Sequence, residues 1–236
     1  MSGLLRFLLF FALLVGLLVF VALPALASPL LGQLVRDAGL QADRLSVSVP
    51  YFDPGLIVGQ PSRLRLEAGD VELGPATAAG LDLTLGEVDL LGRTFESVRG
   101  NVRDTELTAG GLNVAVDRID IEGPATQARV TAHFAPDQAA DILRQSARRV
   151  GVALDDVRLV DDAVRLRVAG FEARATVAVE GGALVLRADH LPALLLLQPA
   201  PSEPWRLTEA SVSSDGLTVN GVVDAAALAR VARESR

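Results

Sequence analysis

RLRLEAGDVELGPATAAGLDLTLGEVDL, residues Arg63 to Leu90, is the stretch whose reading decides the fold. Leu64 and Leu66 alternate with Arg63, Arg65 and Glu67, and Leu81, Leu83 and Leu85 alternate with Asp82 and Thr84. A period of two places apolar side chains on one face of a strand and polar ones on the other. The alternation slips phase. Leu64–Leu66 falls on even numbers and Val71–Leu73 on odd, with Gly69-Asp70 between; Leu81–Leu85 is odd and Val88–Leu90 even, with Gly86 between. A slip of one residue sends a strand's apolar set to the wrong face unless a bulge or turn absorbs it. The expectation is a strongly curved sheet with repeated bulges, some slips being tight hairpins.

The same period runs outward in both directions. Leu45–Val49, Leu112–Val116 and Val130–Phe134 read as strands. So do Val157–Leu159, Val164–Val168, Phe171–Val179 and Leu184–Ala188. Glu180-Gly181-Gly182-Ala183 reads as a hairpin turn, and Ser214-Asp215-Gly216 as the turn of a last hairpin, Arg206–Ser213 with Leu217–Val223. Two segments are helical. Pro29–Leu40 carries Leu30, Leu31, Leu34, Val35 and Ala38 on one face. Pro136–Val150 starts on a proline, has Asp137 early and Arg148 and Arg149 late, and gathers Ala139, Ile142, Leu143, Ala147 and Val150 into an apolar stripe.

Leu30–Val49 aligns without gaps to Ile142–Asp161, with Gln33, Arg36, Gly39 and Asp43 matching Gln145, Arg148, Gly151 and Asp155. Duplication is one reading. The other is that helix-to-strand junctions resemble one another in composition. The fold class expected is α+β: a long curved antiparallel sheet wrapped around one or two amphipathic helices, with duplication giving halves 29–135 and 136–224 of a domain over 28–224. Residues 225–236 read as a short tail helix.

Ahead of this lies Phe7–Leu23, FLLFFALLVGLLVFVAL, with Arg6 before it and Ala25-x-Ala27 after it. The small-residue pattern fits cleavage of a signal peptide. The length, ~26 Å as a helix, is close to the ~30 Å of a bilayer core and fits an uncleaved anchor over 1–27. Both readings stay open, and both place the remainder outside the cytoplasm, at the cell membrane or in the periplasm.

Composition narrows function by exclusion. The chain has 22 basic residues, all arginine, against 29 acids, and a net charge of −7. That disfavours nucleic acid, which wants a basic stripe, and simple electrostatic docking on anionic lipid. There is no cysteine, which removes disulfides, thiolate metal sites and cysteine nucleophiles. His133 and His190 stand on separate segments and suit solvated positions better than zinc. Asp155, Asp156, Asp161 and Asp162 lack the spacing of a calcium loop and read as strand-end turns. No motif selects a catalytic residue, metal ligand or cofactor, and the chain reads as a non-enzyme.

An open sheet has two faces, and two short helices cannot cover all of one. What remains either closes on itself or forms an apolar channel, the geometry of a lipid site. Its expected lining is Ile142, Leu143, Leu166, Val168 and Phe171. Leu194, Leu195, Leu196 and Leu197, bracketed by Pro192 and Pro199 in a loop over Leu191–Pro204, read either as a membrane-dipping flap or as a buried strand. Trp205 suits either an interfacial anchor or a buried cap.

Two runs carry a family resemblance: Val212-x-x-Asp215-Gly216-Leu217-x-Val219, and Glu67-Ala68-Gly69-Asp70-Val71-x-Leu73-Gly74. With the leader, the meander and the mid-chain helix, they resemble the LmeA-type family of exported bacterial phospholipid-binding proteins. The resemblance implies a tubular lipid-binding (TULIP-like) form and binding or shuttling of phospholipid or a related envelope lipid, with lipid and membrane as partners. It carries over no individual lipid ligand. The alternative is a non-catalytic, anchored β-rich module of the envelope whose protein partner the sequence does not name.

Overall fold

The computed structural model describes residues 41–50, 53–73, 76–92, 94–109, 112–188, 193–199 and 203–227. The leader, the segment Pro29–Leu40, His190 and most of the tail lie outside them. Among the described residues no helix is long and apolar enough to cross a membrane.

The chain is mostly antiparallel β-structure. β1 (Gln41–Ser48), β2 (Arg63–Leu73), β3 (Ala76–Gly86), β4 (Ser97–Ala109), β5 (Leu112–Pro124) and β6 (Ala128–Phe134) form a meander. The helix α1 (Pro136–Arg149) follows. Then come β7 (Asp156–Val160), β8 (Ala163–Val168), β9 (Phe171–Glu180), β10 (Ala183–Ala188) and β11 (Leu194–Leu197), and finally β12 (Trp205–Ser213) and β13 (Gly216–Val223). Eight strands make one sheet in the order β1-β2-β3-β4-β5-β6-β13-β12, and five make a second in the order β11-β10-β9-β8-β7. Both sheets are open. The last hairpin returns to pair with β6, so the residues after Pro136 do not form a body apart.

α1 forms where its residues favour it. Pro136 occupies the first turn, the Gln138 side chain accepts the Ala135 N–H at 3.0 Å, and Arg148 and Arg149 sit at the negative end of the helix dipole. It wedges between the sheets, touching β5, β6 and β13 on one side and β7 and β11 on the other. A helix covered twice buries more than one stripe, and Ala140 and Ser146 join Ala139, Ile142, Leu143 and Ala147 inside. Val150, expected on that stripe, is past the helix end and exposed. The main core gathers Ala139 and Leu143 with Val157, Val164, Leu166, Leu184, Leu196 and Leu217.

The phase slips are real but are not bulges. Gly69 pairs with Gly80 and Val71 with Ala78, so β2 and β3 hold equal numbers of residues through the slip. Asp70 takes the left-handed conformation, φ 51°, and Asp104 on β4 does the same, φ 48°. Aspartate tolerates that region better than most residues. Two successive exposed residues mark the seam in three strands, Asp43-Arg44, Arg103-Asp104 and Asp117-Arg118, and on β2 exposed Asp70 follows half-buried Gly69. Beyond the seam Val71, Ala78, Thr105 and Val116 are buried. β3 and β5 have no left-handed residue at the seam, so beyond it the buried positions Ala78 and Val116 alternate onto the face opposite Leu81 and Ile119. At the second slip Gly86 ends β3, and Glu87 opens the loop at φ 49°.

The expected loop over Leu191–Pro204 contains a strand. Leu194–Leu197 pairs with β10 at the edge of the smaller sheet, with an irregularity that lets Leu196 turn inward. Both expected turns form: Gly181 and Gly182 have positive φ between β9 and β10, and Gly216 follows Ser214-Asp215.

Candidate functional site

The larger sheet has two unlike faces, and the contrast between them defines the candidate site. The outer face is charged in rows set by the strand register. One row runs Ser46, Glu67, Asp82, Asn101, Asp120, Thr131, Asn220. The next runs Ser48, Arg65, Thr84, Arg99, Glu122, Arg129. Arg65 joins the rows, holding Asp82 at 2.9 Å and Glu67 at 2.8 Å. That hydrogen bond from Arg65 draws the Asp82 carboxyl below the usual aspartate range, and partial burial opposes it. Arg118 pairs with Asp120 at 2.7 Å, and Arg99 with Glu122. His133 lies 3.5 Å from Asp120 through Nε2 and 3.3 Å from the Thr218 hydroxyl through Nδ1. Arg65–Asp82 and Arg99–Glu122 pair across strands, and Arg65–Glu67 and Arg118–Asp120 along one.

The inner face is aliphatic in rows of the same register. One row is Leu45, Ala68, Leu81, Val102, Ile119, Ala132; its neighbour is Val47, Leu66, Leu83, Gly100, Ile121, Val130. Most of these side chains are only half-buried. At one end the face is covered by loops, with Leu56, Val88, Leu90 and Phe95 packing on Val47 and Leu64. At the other, α1 covers β5, β6 and β13. Leu81, Val102 and Ile119 lie directly opposite one another between these covers, and they belong to none of the packed clusters among the described residues. The result is an apolar trough. From Leu45 on β1 to Ile119 on β5 the row spans ~19 Å at the usual strand spacing.

Gly100 sits in the floor of the trough. Its φ is 158°, and a Cβ built there would fall 2.0 Å from the Asp82 carbonyl oxygen on β3. Only glycine lets β4 approach β3 this closely.

The expected lining residues do not gather around a space. Leu143 and Leu166 are 1% and 3% exposed, packed with Val157, Val164 and Ala175 in the main core. The volume expected to be open around them is filled by protein side chains, because α1 is held between two sheets rather than under one. Ile142 is buried on the helix, Val168 is half-buried at the end of β8, and Phe171 is 78% exposed beyond it. In β11, Leu196 is buried, Leu194 and Leu197 pack against the main core, and Leu195 is exposed. Trp205 is half-buried and bridges two clusters. It also borders an open cleft of about 540 Å³ with Gln127, Gln198 and Glu203.

Asp155 and Asp161 accept backbone N–H groups of Gly170 and Ser214, each at 3.3 Å, and Asp156 pairs with Arg158 at 2.9 Å. Among the described residues no three His, Cys, Asp or Glu side chains converge as metal ligands.

Sequence reasoning missed Leu81, Val102 and Ile119 as a site. Their alternation was visible, but alternation reports which face is apolar and not whether another element covers it. No family model, no curated protein and no solved structure matches the chain.

Proposed function

We propose that this is an exported, membrane-proximal, non-catalytic protein that binds or shuttles a phospholipid or related envelope lipid, with an acyl chain lying in the trough over Leu81, Val102 and Ile119. The carrying observation is the row of half-buried aliphatic side chains, in register across neighbouring strands and, among the described residues, outside every packed cluster. Large contiguous apolar surface on a soluble domain marks a binding surface. An acyl chain extends ~15 Å, half the hydrocarbon thickness of a bilayer, and fits within the trough's span.

The apolar Phe7–Leu23 run supports export and a place at the membrane. The resemblance to the LmeA-type family supports phospholipid as the ligand class. Its two motif runs fall on special backbone: Glu67–Gly74 contains the left-handed Asp70, and Val212–Val219 contains Gly216, whose Cβ would meet the Phe134 carbonyl oxygen at 2.1 Å. On this reading the two halves descend from one helix-and-meander unit, and the large sheet wraps lengthwise around bound lipid in the TULIP-like manner.

Native mass spectrometry of the gently purified protein tests the reading. The expected result is a mass above that of the chain by one phospholipid, lost when Leu81 and Val102 are both changed to Gln. A bare chain mass overturns it. A second reading, an anchored module that binds protein, is favoured by the solid core around α1 and by the open edge of β1. Stable complexes with an envelope protein and no lipid would support it.

A further inference from the structure

Two loops stand at one end of the large sheet, and together they present an apolar tip. The first joins β1 to β2 and holds a 3-10 turn, Pro54–Val58; the second joins β3 to β4. Ile57, Val58 and Leu91 are 57%, 62% and 84% exposed, three of the large apolar side chains the fold leaves in solvent. They are brought together by backbone bonds between the loops: Leu90 N–H to the Gly59 carbonyl at 2.9 Å, Val88 to Pro61 at 3.0 Å and Glu87 to Ser62 at 2.9 Å. A Cβ on Gly59 would lie 3.5 Å from Leu91 Cγ.

The exposure is built in. Asp53 accepts from Gly55 N–H at 3.0 Å and from Ser62 N–H and Oγ–H at 2.7 and 2.9 Å. Asp89 accepts from Leu91 and Gly92 N–H at 3.0 and 2.9 Å, and exchanges two backbone bonds with Thr94. Both carboxylates are spent on holding the loops open with their aliphatic side chains outward. Behind the tip, Leu56 and Leu90 pack onto the cluster that closes one end of the trough.

We infer that this tip docks on a lipid bilayer by inserting Ile57, Val58 and Leu91 among the acyl chains. The occupant follows from chemistry. The surface is convex and aliphatic, whereas protein hot spots favour Trp, Tyr and Arg seated in pockets, with Leu and Val under-represented. The charges next to it are of both signs, Glu87 and Glu96 with Arg63, and Arg93 follows Leu91 by two residues in the sequence; they give no net attraction to anionic headgroups and leave hydrophobic insertion as the driving force. A membrane is also within reach. Residues 24–40 separate the apolar leader run from β1 and can extend to ~58 Å. The tip stands only the length of β1 from Gln41, ~26 Å. A retained leader and an inserted tip can therefore share one bilayer. The inference is distinct from lipid occupancy of the trough, and it adds to that reading an end of the trough pressed against the lipid source.

The chain has no cysteine, so a single one can be labelled without interference. The full chain carrying Leu91→Cys, Val58→Cys or, as control, Asp215→Cys is labelled with an environment-sensitive fluorophore and reconstituted with phosphatidylcholine vesicles. Asp215 lies in the turn between β12 and β13, at the opposite end of the sheet. The expected result is a blue shift at positions 58 and 91, with at least fivefold stronger quenching by acyl-chain nitroxides than at 215. The shift should persist in high salt and should not grow with anionic lipid. Equal quenching at all three sites, or a shift that requires anionic lipid, overturns the inference. Native mass spectrometry of the same proteins separates the two claims: bound lipid with no insertion at the tip removes only this one, and insertion without bound lipid removes only the trough.

Discussion

Gly100 is the residue on which the trough floor depends. Replacing it with alanine forces a Cβ into the β3 backbone, and the expected cost is about 3 kcal/mol, read as a lowered midpoint in urea unfolding. Thr105 makes the opposite case. Its hydroxyl is buried with no hydrogen-bond partner among the described residues, so Thr105→Val, which keeps the shape, is expected to stabilise by about 1 kcal/mol. The Arg65–Asp82 pair gives a test by pH. Because Asp82 is drawn down in the folded chain, its contribution is complete above the unfolded value of about 3.9 and is lost as the pH falls through the lower folded value. The pair is largely exposed and salt-screened, so its effect on stability is small. Carboxyl NMR should find Asp82 titrating below ordinary aspartates, and Arg65→Gln should bring it back up.

Among the elements, α1 was legible from its proline start, its charge order and its stripe. What the stripe could not convey was that two sheets would share the helix. That is why Leu143 and Leu166 serve as core and not as lining. Leu143→Ala should cost about 2–5 kcal/mol in unfolding and leave bound lipid unchanged. Most strands were legible from their alternation, but β4, Ser97–Ala109, was not, and β5 only over Leu112–Val116; the slip at Gly69-Asp70 was visible. Its cause was not, because an inserted residue and a change in which face is buried leave the same trace in a hydropathy pattern. The leucine run at Leu194–Leu197 was ambiguous between loop and strand for a related reason: proline brackets argue against a central strand but permit a short edge one. Its side chains now divide cleanly. Leu196→Ala should destabilise by about 2–3 kcal/mol, and Leu195→Ala by less than about 0.5, in thermal or urea melts.

At the scale of the molecule, the two faces of the large sheet do different work. The outer face pairs many of its own charges. The two inner rows are aliphatic apart from Gly100, and among the described residues the helix and the loops pack at their ends. The alternating sequence already contained both faces. The open middle depends on where α1 and the loops come to rest, which is a long-range property of the packed chain. The central claim, that lipid lies against Leu81, Val102 and Ile119, is tested most directly by photocrosslinking with a phospholipid that carries a diazirine midway along an acyl chain. The account predicts adducts concentrated on peptides of β3, β4 and β5. Adducts confined to α1 and β8, around Leu143 and Leu166, or no adduct above background, would contradict it.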